Sequence, residues 1–255
     1  MASDKKNEFD VRVDGYPDQV LSMSEIMACY KAYKASGEIE NAKAVLEYGT
    51  ACAYLPAKLE LARFLLKTPQ IKISQIERYS RAETLYRDAQ NILDLSSKVY
   101  AQIAVELAWL CEATNRPVGC LGNLLKAKRY GYEVQEKDIE LCRRRLMRKD
   151  IYSLGGNSQD ALDLGYELSL VGNFKYAEFF LREATEAKHT IVAGQACLYL
   201  ADLYLEHSAE CKNHRQEAQK YYHRSAEELF PEVLCCTEPT PNSKTVHKRK
   251  GADYG

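Results

Sequence analysis

Long apolar runs are missing from this chain. No stretch of about 18 apolar residues is present that could cross a bilayer as a helix. The opening residues, MASDKKNEFDVRVDG, also lack the apolar segment of a secretory signal. We therefore expect a cytoplasmic protein that has no membrane partner.

The chain has few of the helix-breaking residues proline and glycine, and its net charge is close to zero. Seven prolines and thirteen glycines are spread over 255 residues, so most of the chain can form helices. The formal net charge of -1 gives no overall field that would attract nucleic acid, and we do not expect nucleic acid as a partner. The nine cysteines are an odd number scattered along predicted helix faces, where we expect apolar packing rather than a disulfide framework.

Sequence motifs of common enzyme classes are missing as well. The chain has no glycine-rich phosphate loop, no GxSxG nucleophile elbow and no HExxH metal motif. Acidic residues are plentiful, but they fall on helix faces that the apolar period predicts to be exposed. We expect a non-catalytic protein that needs no cofactor.

Residues 161–184, ALDLGYELSLVGNFKYAEFFLREA, have the period of two amphipathic helices joined by a turn. Apolar residues recur at spacings of three and four on both sides of Gly172, which permits the turn. Small side chains alternate with large ones, so two antiparallel helices can interdigitate. A single hairpin of this kind cannot bury its apolar face and needs neighbours. The packing positions are Ala161, Leu164, Gly165, Leu168, Ala177, Leu181 and Ala184.

The same spacing returns along the chain. Residues 104–127 match it without a gap, residues 26–49 match it more loosely, and residues 61–89 and 200–225 match it with a longer loop. The pattern resembles the tetratricopeptide (TPR) repeat and its relative, the Sel1-like repeat, over most of the chain. The resemblance implies an all-α, right-handed α-solenoid of about five helix-turn-helix repeats.

Composition divides the chain into three parts. Residues 1–20 are expected to form a flexible N-terminal arm, residues 21–234 the helical-repeat domain, and residues 235–255 a disordered basic tail. Within the repeat domain, residues 133–158 depart from the pattern because a charged helix is followed by Gly155 and Gly156. We interpret this segment as a sub-boundary between two halves of the array.

The resemblance also implies where a partner binds, because the first helix of each hairpin lines the concave face of such an array. The front of this face is basic and suits an acidic peptide or a carboxylate, while its aromatic residues can anchor an apolar side chain. An ordinary solvated face remains an alternative interpretation. The predicted partner-binding residues are Lys31, Lys34, Arg63, Lys67, Gln102, Trp109, Gln159, Tyr166 and Gln195.

A second interpretation rests on residues 143–149, RRRLMRK, whose clustered cations could meet nucleic acid or an acidic partner. Ile139 and Cys142 lie in the apolar stripe of the same predicted helix. The arginines then point outward and can pair with Glu136 and Glu140 at helical spacing. This alternative basic patch consists of Arg143, Arg144, Arg148 and Lys149.

Two further patterns carry weaker hypotheses. His207, Cys211 and His214 have spacings of four and three, which can place three metal ligands on one side of a helix, with Cys197 or His223 as a fourth ligand. Long charged loops often carry such residues without a metal, and we predict none.

The last helix could leave an apolar face uncovered and support a homodimer. That face consists of Tyr222, Leu229, Phe230 and Val233.

Overall fold

The computed structural model describes residues 21–148, 157–207 and 213–230, and within these ranges it is all-α, without a β-strand. The expected helical class is confirmed. The helices are α1 (Met23–Ser36), α2 (Ile39–Ala51), α3 (Leu55–Lys67), α4 (Gln75–Gln90), α5 (Ser97–Ala113), α6 (Pro117–Arg129), α7 (Glu136–Arg148), α8 (Ser158–Leu170), α9 (Phe174–Thr185), α10 (Thr190–Glu206) and α11 (His214–Leu229).

Local sequence determines where several helices begin and end. A capping box opens α1, since Ser22 Oγ accepts a hydrogen bond from the backbone of Glu25 while the Glu25 carboxylate accepts one from the backbone of Ser22. Gly37, at φ 79°, closes the same helix in the left-handed conformation that suits glycine. Proline at the first turn starts both α3 and α6, where its missing N–H costs no hydrogen bond.

Contacts between helices divide the chain into two compact units, the first ending at Glu167 and the second beginning at Leu168, within α8. Each unit is described by itself. None of the described helices has both the length and the apolar content required to cross a bilayer.

In the first unit, side chains join alternate helices into two rows. Tyr30 of α1 packs edge-on against Phe64 of α3 at a ring distance of 5.9 Å, and Arg63 of α3 binds α5. On the other side, Arg81 of α4 binds Glu47 of α2 at 2.9 Å. The helices α1, α3 and α5 therefore form one row, and α2 and α4 belong to the other.

Apolar side chains fill the space between these rows. Ile26, Leu46, Leu65, Tyr86 and Leu107 are all almost completely buried in the first unit. Several of them occupy packing positions of the predicted repeats, so the apolar period of the sequence identifies the core of this unit.

The helix α8 packs closely on α6. A Cβ atom at Gly122 would lie 3.0 Å from the backbone nitrogen of Leu164, and one at Gly119 would lie 2.5 Å from the carboxyl carbon of Asp160. A Cβ atom at Gly119 would be closer than real Cβ contacts, and one at Gly122 would be tighter than most of them, so glycine at both positions favours this approach. Two glycines one turn apart therefore let α8 reach the buried side of α6.

Two aspartates of α8 bind cations from α4 and α6. Asp160 lies 2.9 Å from Arg87 Nη2 and 3.1 Å from Arg116 Nη1, while Asp163 lies 3.0 Å from Arg87 Nη1 and 3.1 Å from Lys126 Nζ. Both aspartates are buried. A buried charge needs such partners, since an isolated one is expensive to desolvate.

The two aspartates titrate in opposite directions. Burial raises the pKa of Asp160 to about 6, despite the neighbouring Arg116 and Arg87. Burial works in the same direction at Asp163, but Lys126 and Arg87 outweigh it and lower the pKa of Asp163 below its usual value.

The second unit is built around hydrogen-bonded tyrosines. Tyr204 of α10 stacks on Tyr221 of α11 at 5.9 Å, and both hydroxyls accept hydrogen bonds from Arg182 of α9, at 2.6 and 2.9 Å. The Tyr204 hydroxyl in turn donates to Glu178 at 2.6 Å. These bonds tie α9 and α11 to α10.

We expect Asp163→Ala to destabilise the protein by about 3–5 kcal/mol, because it leaves the buried Lys126 without its carboxylate. The matched control is Asp88→Ala on the exposed side of α4, which should cost less than about 0.5 kcal/mol. Urea unfolding at neutral pH measures both values. Equal stability of the two variants would show that the ion pairs of Asp163 contribute nothing.

A pH dependence follows from Asp160, whose folded pKa of about 6 exceeds the unfolded value of about 3.9. The folded protein therefore binds more protons between these values. The contribution of Asp160 to the free energy of unfolding is fully present below pH 4 and is lost as the pH rises through 6. We expect Asp160→Asn to remove this fall in stability, as measured by urea titrations at several pH values. A variant that keeps the parent's pH profile would contradict the assignment.

Candidate functional site

The row formed by α1, α3 and α5 presents a surface that we call the first-row face; its residues are Lys31, Lys34, Glu60, Arg63, Lys67, Gln102, Glu106 and Trp109. Its central contact joins Arg63 of α3 to Glu106 of α5. The guanidinium donates from Nε at 2.9 Å and from Nη2 at 2.6 Å to the same carboxylate. A second carboxylate, Glu60, lies 3.5 Å from Arg63 Nη1.

Further hydrogen bonds extend this contact toward α1. Tyr30 donates to Glu60 Oε1 at 2.7 Å, and Lys34 Nζ donates to the Tyr30 hydroxyl at 2.8 Å. Burial and the bond to Glu60 both raise the pKa of Tyr30, so its hydroxyl stays protonated and continues to donate. Cations and carboxylates thus alternate from α1 to α5.

Glu106 accepts hydrogen bonds from two helices. Besides those from Arg63, it accepts one from Gln102 Nε2 at 3.3 Å. Burial and, after it, the nearby Glu106 carboxylate raise the pKa of Tyr86 in α4. Burial lowers the pKa of Arg63, but the bond to Glu106 and its charge outweigh this effect and raise it overall. The guanidinium is therefore held in place by a nearly buried carboxylate.

Trp109 differs from the rest of the face because 63% of its surface is exposed. It lies one turn before Glu112, which pairs with Arg145 of α7. Leu141, one turn before Arg145, is 49% exposed. Large apolar side chains therefore reach solvent where α5 and α7 are neighbours.

The structure brings some of the predicted residues together and places others elsewhere. Lys34, Arg63 and Gln102 share the hydrogen-bonded network, whereas Lys31 and Lys67 are exposed and outside it. Two predicted residues of α8 lie with the aspartates and basic side chains described above: Gln159 donates to Asp163 at 3.3 Å, and the Tyr166 ring lies 5.7 Å from the Arg129 guanidinium. Gln195 is half-buried in the second unit.

The predicted basic patch lies at the end of α7. Arg144 binds Glu140, four residues before it, at 3.0 Å, as the helical spacing predicts, and Arg143 approaches Glu136, seven residues before it, at 3.8 Å. Ile139 and Cys142 of the predicted apolar stripe are buried. Arg148 is the last residue of α7, and Lys149 lies outside the described residues.

The weaker hypotheses are only partly covered by the structure. Of the histidine-rich set, His207 packs against Phe174 at 5.6 Å, and Cys211 lies outside the described residues. Of the predicted dimer face, Phe230 is 59% exposed, the Tyr222 hydroxyl donates to Asp202, and Val233 lies outside the described residues.

Sequence reasoning missed another group of potential metal ligands. Cys120 of α6 and Cys142 of α7 are both buried, with their Sγ atoms 3.2 Å apart. A carboxylate oxygen of Glu112 lies within 4.8 Å of both sulfurs. No spacing pattern could reveal this group, because its members come from three different helices.

A cleft of about 450 Å³ lies among α2, α3 and α4. Its two charged lining residues, Arg81 and Glu47, bind each other at 2.9 Å. Thr50 also lines the cleft, and its buried hydroxyl has no hydrogen-bond partner among the described residues.

Comparison with models of known protein families gives no match, and no curated protein shows significant similarity to this chain.

The Arg63–Glu106 contact can be measured by a double-mutant cycle. We expect Glu106→Ala to cost about 1.5–3 kcal/mol, because Arg63 and Gln102 both lose an acceptor. The same change in an Arg63→Ala background should cost less, giving a coupling energy of about 0.5–3 kcal/mol in urea unfolding. Glu40→Ala, an exposed change in α2, is the control. Strict additivity would show that the pair is not coupled.

Proposed function

We propose that this chain is a non-catalytic, cytoplasmic adaptor that binds a peptide or a helix of a partner protein on its first-row face. The proposal includes a right-handed solenoid of about five TPR-like or Sel1-like repeats. Support comes from the first unit, where consecutive helices pair and alternate helices contact each other. Each hairpin then buries its apolar side against a neighbour, as a repeat array requires.

The observation that carries the proposal is the exposure of Trp109 beside a satisfied polar network. Tryptophan is the residue type most enriched among binding hot spots, because it buries a large, rigid surface when a partner covers it. Here 63% of its surface is open to solvent. The polar groups beside it already bond to one another, so a partner that covers them has little to reorganise.

Charge favours an acidic partner segment. Lys31 and Lys67 are exposed on the same face and take no part in the network of Arg63. Arg63 and Lys34, which face Glu106 and Glu60, act in this proposal by holding the surface in shape. Lys31 and Lys67 supply the attraction, and Trp109 supplies most of the affinity.

The alternative, contact of nucleic acid or an acidic partner with the basic patch of α7, has less support. Two of its cations lie beside glutamates of their own helix, which reduces the field available to phosphates. The experiment below includes this alternative as a separate arm.

The test is affinity capture from native lysate with quantitative mass spectrometry. The face variant carries Lys31→Glu, Lys67→Glu and Trp109→Ser, and leaves Arg63 and Glu106 intact. The control variant carries Ile76→Ser and Leu93→Ser, two apolar residues that are 83% and 88% exposed in α4 and the loop after it. A third variant, Arg143→Glu with Arg144→Glu, reports on the basic patch.

We expect at least one protein to be retained by the parent and the control variant and lost from the face variant, with helical content unchanged in circular dichroism. A photo-crosslinking amino acid at position 113, which is exposed one turn after Trp109 in α5, should label the same protein, whereas one at position 93 should not. Identical partner lists for parent and face variant would refute the proposal. Selective loss from the third variant would favour the basic patch.

A further inference from the structure

Three side chains from three helices converge at one buried point. Glu112 is in the last turns of α5, Cys120 is in α6 and Cys142 is in α7. The two thiols are 4% and 3% exposed, and their Sγ atoms are 3.2 Å apart. The carboxylate of Glu112 lies at the solvent side, with an oxygen within 4.8 Å of both sulfurs.

These groups form a suitable ligand set. Two thiolates and one carboxylate are ligands that zinc accepts, and soft sulfur ligands select thiophilic metals over magnesium or calcium. Zinc binds sulfur at about 2.3 Å, so a tetrahedral ion would hold the two sulfurs about 3.7 Å apart. The observed 3.2 Å needs to open by only about half of an ångström, which rotation of a side chain can supply.

The surrounding charges balance this set. Arg145 pairs with one oxygen of Glu112 and leaves the other oxygen free of that bond. Two thiolates, a carboxylate, a divalent ion and this guanidinium sum to zero. A neutral assembly has a smaller desolvation cost at a partly buried position than a charged one.

We propose that Cys120, Cys142 and Glu112 form a binding site for one thiophilic divalent cation of the zinc class. Water or another small donor completes the coordination from the solvent side of Glu112. The ion would link α5, α6 and α7, and so fix the helix pair beside Trp109.

A disulfide is the main competing chemistry for two thiols at this distance. It needs the sulfurs to close from 3.2 Å to about 2.05 Å, and it needs an oxidant that removes two electrons and two protons. A disulfide between the two cysteines would also not involve Glu112. The convergence of a third ligand therefore favours a metal.

The test uses the full chain without a histidine tag, reduced with a phosphine and stripped of metal by a chelator. The background variant carries Cys211→Ser, Cys235→Ser and Cys236→Ser, which removes other candidate sulfur ligands. Zn²⁺ is titrated against a chromogenic chelator, and Co²⁺ is added separately as a spectroscopic probe. Cys120→Ser, Cys142→Ser and Glu112→Gln are the site variants, and Cys197→Ser, a buried thiol of the second unit, is the matched control.

We expect one equivalent of Zn²⁺ to bind the background and the Cys197→Ser protein. Loss of either site thiol should abolish tight binding and the thiolate-to-cobalt charge-transfer absorption. Glu112→Gln should weaken binding by about tenfold or more. X-ray absorption of the zinc complex of the background protein should show two sulfur ligands, and this measurement does not depend on whether a variant folds.

Several results would overturn the site. The background protein could fail to bind Zn²⁺ and Co²⁺. Tight binding could survive Cys120→Ser, or the zinc complex could contain only oxygen and nitrogen ligands. Treatment with glutathione disulfide provides a further arm. If it joins Cys120 to Cys142 while no metal binds, the pair is a redox pair and the proposal is wrong.

Discussion

The first unit depends on carboxylates that α8 brings into the space beside α4 and α6. Asp160 and Asp163 lie on one side of α8, and each contacts two cations from different helices. Gly119 and Gly122 favour this arrangement, because a side chain at either position would crowd Asp160 or the backbone of Leu164. Backbone shape and charge therefore act together: the glycines allow the approach, and the ion pairs determine its register.

Most charged groups of the surface that we propose for binding also pair with one another. Arg63 and Lys34 would form a basic patch if they stood alone, but Glu106 and Glu60 satisfy them. What remains open is an aromatic ring and two separate lysines. A partner would therefore meet a surface whose shape is already fixed by internal bonds, and most of its contact energy would come from covering Trp109.

The sequence predicts the helices and much of the core, but the networks are harder to foresee. Ile26 and Leu46 are buried where the apolar period places them, and Arg144 meets Glu140 at the predicted helical spacing. Arg63 and Glu106 are 43 residues apart, and no local pattern relates them. The only signal in the sequence for this contact is that Glu106 is an acidic residue on the apolar, buried side of α5. Cys120 and Cys142 converge only through helix packing, so their meeting could not be read from spacing.

A bond between distant parts of the chain changes how the packed helices of the first unit can unfold. In an ordinary repeat array each unit touches only its neighbours, so units can open one at a time from an end. Arg87 and Asp163 are 76 residues apart, and their contact spans the whole of α5, α6 and α7. Neither α4 nor α8 can leave without breaking it. The contact therefore closes α4 to α8 into a loop, so these helices should open together rather than one hairpin at a time.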